Sequence, residues 1–473
     1  MRDVTAEAPE AKTQASGAYR LYVLVLLTGV YTFNFIDRQI IGILSPAIKA
    51  DLGLADWQLG ILKGFAFAVL YTTLGIPIAR LADRKNRVTI ISIALALWSG
   101  FTAISGACQN FFQLTVARVG VGIGEAGGSP PAHSLISDYF PKEKRAGALA
   151  FYAMGIPIGI ALAYLGGGWI TETFGWRVAF VVIGLPGILA AILLKATVRE
   201  PERGGMEKDD AASDAFASLR VTEPADGFER RTKRLCDLLP ADVGASWFSE
   251  IAVVWRAAKH LLSIPTYRAA VIATTAVSFS SYANGTWIVD FYSRTHSEFS
   301  LLQVLFALGI ISGTAYLAGT FLGGYVVDKL AVKDKRMYGY VPALALVLSV
   351  PCFMAVIWSG SPVVSLLFQI PVQLALGFYL GPAFALAQTL APVSIRALST
   401  AVFFFILNMI ALGFGPTTAG FISSALMDAF GEGLALQISL TIVSFAALYG
   451  AWMFYVTGNR VSDDWAKATG EDV

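Results

Sequence analysis

The sequence places ionisable residues where they are least expected. Asp37 and Arg38 stand inside a long apolar run from about Leu21 to Ile48, and Arg118 and Glu125 stand inside another. An ionisable side chain near a bilayer centre costs about 2.5–3.5 kcal/mol on insertion scales, so it faces a bundle interior or a wet cavity and marks a pathway. A carboxylate there can carry a proton, provided desolvation brings its pKa from about 4 towards neutrality and an arginine modulates the shift. Asp37 and Glu125 are therefore the candidate proton carriers. Arg38 and Arg118 are the candidates to pair with a vacated carboxylate or an anionic substrate head. The bland alternative is a static charge network that ties two helices together, since breaking a buried pair is costly whatever its role.

Composition defines the elements that must hold these residues. Of 473 residues, 56% are hydrophobic and 14% charged, and the mean hydropathy is +0.63, far from an average soluble domain. An all-α membrane protein is expected. A helix needs about 20 predominantly apolar residues to cross the hydrocarbon core. By that rule the chain holds twelve transmembrane helices, at about 20–48, 58–79, 88–107, 112–138, 146–170 and 178–196, then 267–292, 302–327, 339–358, 362–390, 397–424 and 434–456. This makes a first six-helix half (20–198), a central loop (199–266) and a second six-helix half (267–456), with tails at 1–19 and 457–473.

Lys and Arg in the short loops fix the expected orientation. Arg80, Arg84, Lys85, Arg87, Lys142, Lys144, Arg145, Lys329, Lys333, Lys335, Arg336 and Arg396 lie on one side, against Lys49, Arg177 and Arg294 on the other. The first set is expected inside, with both termini cytoplasmic. The N-terminal stretch lacks the basic flank, short apolar core and cleavage site of a signal peptide and reads as a disordered tail. Compact loops and short termini suit a bacterial inner membrane. The central loop is too polar to bury a core, but Trp247 to Ile264 mixes apolar residues with Arg256, Lys259 and His260, which suits a helix lying on the membrane surface.

The two halves also echo each other. Ala79-Arg80-Leu81-Ala82-Asp83-Arg84 resembles Gly324-Tyr325-Val326-Val327-Asp328-Lys329, and Pro131, Pro141 and Arg145 recur as Pro382, Pro392 and Arg396. Such repeats are expected of carriers built around a midplane site. With Leu81-Ala82-Asp83-Arg84-x-x-Arg87 between the second and third spans, the chain resembles the major facilitator superfamily over about residues 20–456; Ala79 stands where that motif usually has glycine. Asn34-Phe35-Ile36-Asp37-Arg38 together with the Arg118–Ala126 stretch is similar to the spinster group within it. Gly285-Thr286-Trp287-Ile288-Val289-Asp290-Phe291 fits that group in part, lacking a proline common after the Trp.

The resemblance implies a secondary carrier, not an enzyme, working by alternating access on a lysophospholipid or sphingolipid type of substrate, with membrane lipids around it. A proton-coupled carrier of a sugar or small organic acid is the alternative, and a channel or receptor the weaker one. The resemblance further implies that the first and fourth spans line one cavity. At about 1.5 Å per residue, Asp37 lies about 24 Å, Glu125 about 20 Å and Arg118 about 30 Å from the inner ends of their spans. Arg118 and Glu125, seven apart, share a helix face. The four charges are thus expected in one network, with buried charge concentrated in the first half.

The resemblance gives Asp83, Arg84 and Arg87 a gating role, shared with Arg145 and Asp328 at corresponding places. Positive-inside anchoring would explain the arginines but not Asp83. Gly155-Ile156-Pro157-Ile158-Gly159 and Gly413-Phe414-Gly415-Pro416 are expected to pack closely or to hinge. Asn284, Trp287, Asp290, Tyr379, Gln388 and Asn408 are candidate cavity groups, with Asp290 expected near the outer end, where an interfacial place is the competing account. His133 is either a second titrating group or a helix-packing histidine.

Other chemistries find little support. Gly122-Ile123-Gly124-Glu125-Ala126-Gly127 matches a dinucleotide fingerprint but lies in an apolar helix without a βαβ unit, so close packing is the better account. The sequence has no phosphate-binding loop and no nucleophile motif, and only three histidines. Cys108, Cys236 and Cys352 have no metal or disulfide spacing. Neither a cofactor beyond the coupling proton nor a nucleic acid is expected, and a monomer is the expected unit.

Overall fold

The computed structural model describes residues 16–203, 230, 233, 241–391 and 396–469. The expectations for residues 1–15 of the N-terminal tail, for 204–229, 231–232 and 234–240 of the central loop and for the side chain of Asp83 lie outside the described residues. Every regular element among the described residues is helical.

The first half comprises α1 (Gly17–Leu52), α2 (Asp56–Lys63), α3 (Phe65–Arg84), α4 (Arg87–Ser105), α5 (Phe111–Glu125), α6 (Ser129–Tyr139), α7 (Lys142–Ala153), α8 (Gly155–Leu162), α9 (Gly168–Phe174) and α10 (Trp176–Thr197). Then come α11 (Ala241–Ser263) and α12 (Pro265–Thr295). After them are α13 (Leu301–Ile311), α14 (Leu317–Ala331), α15 (Met337–Trp358), α16 (Pro362–Leu376), α17 (Leu380–Thr389), α18 (Arg396–Leu407) and α19 (Gly413–Thr469). Local chemistry sets the ends. Ser16 caps α1 by accepting from Tyr19 N, and Gly53 closes it in the left-handed region. Ser300 and Gln303 form a capping box on α13. Gly431, at φ +74°, divides α19. Its two limbs then run back along each other, with the Ser439 hydroxyl donating to Ala419 O at 2.6 Å.

Nine stretches of the described residues are long and apolar enough to cross a membrane. The α5–α6 stretch and α12 fall outside that set for a physical reason: the first carries Arg118 and Glu125, and the second Ser, Thr and Asn along its length with Asp290 and Arg294 near its end. Packing joins the halves. One apolar core takes Ile40, Leu44, Leu62 and Phe180 from the first half and Trp287, Leu305 and Leu440 from the second.

Three segments differ from the sequence expectation. The start of the central loop is fixed on the first half, with Tyr139 OH donating to Arg199 O at 2.5 Å and Arg203 Nη2 to Ala82 O and Lys85 O at 2.6 and 2.7 Å. The stretch expected to lie on the membrane surface forms α11, whose Val253, Ala257 and Leu261 bury against Tyr267 and Phe454 while Lys259 and His260 are exposed. At the C-terminus, α19 continues to Thr469 where a tail is expected from 457. Trp465 stacks on Tyr338 and Asp464 accepts from Thr266 N at 2.9 Å, capping α12.

Candidate functional site

Four charges from α1 and α5 meet inside the first half. Arg38 Nε donates to Glu125 Oε2 at 2.7 Å, and Arg118 Nη1 donates to the backbone oxygen of Asp37 at 3.3 Å. Asp37, Arg118 and Glu125 are buried, while the Arg38 side chain keeps 16% of its surface open. The close approach is made by glycine. A Cβ on Gly122 would stand 2.5 Å from Phe67 O, and one on Gly124 2.6 Å from Trp98 N, so α5 can lie directly on α3 and α4. That is the physical role of the G-x-G-x-x-G pattern here.

Each carboxylate retains capacity. Asp37 Oδ1, Glu125 Oε1 and Arg118 Nε have no hydrogen-bond partner among the described residues. Asp37 faces Thr102 and Trp98 in addition to Arg118 and Glu125. The cluster can therefore hold a proton on either carboxyl group and can re-pair its arginines.

Aromatic rings surround the one charge that is open. The Arg38 guanidinium lies 4.5 Å from the Tyr71 ring centroid and 5.3 Å from those of Phe35 and Phe67. Tyr31 stacks on Tyr152 at 4.4 Å, and His133 meets Tyr152 edge-on at 5.2 Å. From the second half, Tyr282 lies within electrostatic reach of both Arg38 and Tyr71. The sequence reading missed this wall. Its signal was the spacing of Tyr31, Phe35 and Arg38, which share one face of α1.

A second ionic cluster pins the halves together at the end away from the basic loops. Lys63 on α2 donates to Asp290 on α12 at 2.5 Å, and Ser45 on α1 donates to the same carboxylate oxygen at 2.5 Å. Arg294 holds both oxygens of Asp56 at 2.7 and 2.8 Å, and Ser423 donates to Asp56 at 2.6 Å. Lys49 bridges Asp56 and Glu432 at 3.1 and 2.9 Å. Trp287 closes the centre: Lys63 Nζ lies 3.6 Å from its ring centroid, and its Nε1 donates to Pro416 O at 2.9 Å. Asp290 is thus fully buried and not interfacial, because Lys63 and Ser45 supply the partners that a boundary carboxylate would take from water. Lys63, a lysine within an apolar span, was the overlooked signal.

The other expected residues scatter. Arg87 is buried as a clamp within the first half, bonded to Asp138, to Glu200 at 2.6 Å and to Ser134 at 2.8 Å. Arg145 Nη2 donates to Ser137 O at 2.9 Å, while Arg84 and Asp328 are exposed. Asn284 points into the second half's own bundle, donating to Ser280 and Ser444. Tyr379 pairs with Ser278 at 3.0 Å. Asn408 opens a π-helical turn, and Gln388 and His133 are exposed.

An all-helical bundle of two joined halves with a buried charge cluster in one of them defines a multi-pass membrane transporter. The chain belongs to the Major Facilitator Superfamily, whose family model matches residues 27–416. It is 29% identical to an MFS-type efflux pump of Mycolicibacterium smegmatis over 93% of this chain and 92% of that protein. It is 27% identical to a probable galactarate/D-glucarate transporter of Bacillus subtilis over 71% of this chain and 70% of that one. Its fold superposes with a TM-score of 0.79 on the crystal structure of a bacterial homolog of the human lysosomal transporter spinster, in an inward-facing and unoccupied conformation. The identity is 27%, over 95% of this chain and 99% of that one, which bears out the resemblance to the spinster group.

Proposed function

We propose that the chain is a proton-coupled carrier of an amphipathic organic anion that works by alternating access. Arg38 takes the anionic head, the aromatic residues around it take the apolar body, and Glu125 and Asp37 exchange the coupling proton. The observation that carries this reading is the Arg38–Glu125 pair, open only on the arginine side, set against aromatic rings and backed by the second carboxylate of Asp37. Protonating Glu125 frees Arg38 for the substrate; releasing the proton returns Arg38 to Glu125 and expels the anion. The excess of Lys and Arg on one set of loops supports a cytoplasmic location for that end in a bacterial inner membrane. With the opposite end pinned shut, the conformation is inward-facing.

A second reading, a short polyhydroxylated acid as substrate, is favoured by the galactarate/D-glucarate relative. Both readings need an anion on Arg38. Proteoliposomes with an imposed pH gradient, offered lysophospholipids, sphingoid phosphates, sugar acids and neutral sugars, separate them. Uptake of amphipathic anions that stops in Asp37→Asn and Glu125→Gln is the expected result. Full pH-driven transport by both variants would exclude the coupling, and uptake confined to neutral sugars would exclude the anion.

A further inference from the structure

The second half encloses a polar cavity of about 80 Å³ that the carrier chemistry above does not use. It lies between α12, α15, α16 and the second limb of α19, level with the middle of those helices, and is lined by Ser280, Asn284, Ser349, Gln369 and Ser444, all at least nine-tenths buried. Two of its hydroxyl hydrogens are already spent. Ser349 donates to Leu346 O at 2.7 Å and Ser444 to Leu440 O at 2.6 Å. Because the Ser444 hydroxyl has given its hydrogen away, its neighbour must be a donor. That orients the Asn284 amide, whose Nδ2 donates to Ser444 at 3.0 Å and to Ser280 at 3.2 Å. Asn284 Oδ1 and Gln369 Oε1 are left without a partner among the described residues.

The lining therefore offers two unpartnered amide oxygens beside serine hydroxyls and asks for a donor or a cation. Carbonyl and hydroxyl oxygens can replace the hydration shell of a small hard cation. No carboxylate lines the cavity, so a divalent ion would keep its charge uncompensated in an apolar surround, whereas a single charge is the smaller burden. At about 80 Å³ the cavity has room for one Na⁺ together with some of its hydration water.

We propose that this cavity is a binding site for a monovalent cation of Na⁺ size, held by Asn284 Oδ1, Gln369 Oε1 and the serine oxygens. The ion would tie α12 to α15, α16 and α19, and α12 is the helix whose end carries Asp290 and Arg294. The site is independent of the proton-exchanging carboxylates and stands or falls separately from them.

The test is thermal unfolding of the purified chain in nanodiscs, in choline, sodium and potassium chloride at constant ionic strength. A ligand that binds only the folded chain at a hundredfold excess over its Kd shifts the folding equilibrium about 100-fold. The expected result is a saturable rise of Tm with Na⁺, smaller with K⁺ and absent with choline. Asn284→Ala and Gln369→Ala should each weaken the Na⁺ midpoint at least about 10-fold, one lost ligand of a few; Ser349→Ala serves if either fails to fold. Identical Tm values in all three salts would show a cavity filled by water alone and overturn the proposal. An unchanged Na⁺ response in the variants would also overturn it, by locating the cation elsewhere.

Discussion

Arg38 holds the most demanding position in the molecule, because it must release Glu125 without leaving the aromatic surface that surrounds it. Its planar guanidinium bonds the carboxylate through Nε while lying over Tyr71. Lysine keeps the charge but neither the fork nor the stacking geometry. Arg38→Lys is expected to raise the KM for an anionic substrate about 10-fold, roughly the value of one charge-assisted bond. Arg38→Ala should leave no measurable uptake. An unchanged KM for Arg38→Lys, measured in proteoliposomes, would assign Arg38 to structure alone. Arg87 behaves in the opposite way. Buried between Asp138 and Glu200, it is a brace, so Arg87→Ala should destabilise the fold by about 3–5 kcal/mol, the usual cost of unpairing a buried ion. Thermal unfolding of Arg87→Ala beside Arg87→Lys measures this. A wild-type Tm combined with slow transport would restore a purely gating role.

At the level of elements, much was legible because the membrane imposes one strong rule. Apolar runs of sufficient length announce most helices, and depth counting places Asp37 between Glu125 and Arg118. What escaped shares a cause: pairing across the two halves is invisible to helix periodicity. Lys63, Asp56 and Arg294 each read as isolated polar residues near a span end until α2, α12 and α19 are brought together. Two Gly-Pro stretches are read as hinges or close packing, and the helices depart from α-geometry at further places as well. π-Helical turns interrupt the chain at Ala163–Gly167, Ser312–Tyr316 and Asn408–Leu412, and α2 breaks from α3 at Gly64. All four lie in segments that meet across the halves. Such turns are rare and concentrate at functional positions. One of these close approaches is between α2 and α19, where a Cβ on Gly60 would stand 2.9 Å from Pro416 O and 3.1 Å from Thr417 Cα. Gly60→Val is therefore expected to keep the two halves apart at this end. A cysteine at Ser423, buried against Asp56, should react with a membrane-impermeant thiol reagent from that side at least about 10-fold faster in the valine background, as expected when a sealed state loses one or two kcal/mol to a steric clash. Equal labelling rates would show that this contact does not decide closure.

For the whole molecule, alternating access requires that the seal hold one state without making it permanent. Burying Lys63 against Asp290 meets that requirement, since the pair is satisfied only while the halves touch. Removing one partner of a buried pair costs about 3–5 kcal/mol because the other charge is stranded, whereas replacing both by apolar groups is often nearly neutral. Lys63→Met alone should therefore shift the ratio of sealed to open molecules by roughly 10²- to 10³-fold towards open. Asp290→Leu alone should act in the same direction. The double variant should return most of the way to the sealed state, because Arg294 keeps its two bonds to Asp56 and Ser423 keeps its bond to the same carboxylate. Spin labels at Phe174 and Phe430, both exposed on opposite halves near this end, would report the change by double electron–electron resonance. A second, longer distance is expected in each single variant and its recovery in the double. If the double variant were as open as the single ones, the pair would supply attraction that its apolar replacement cannot. The seal would then be electrostatic in origin, and, because both side chains are fully buried, raising the salt concentration should leave it closed.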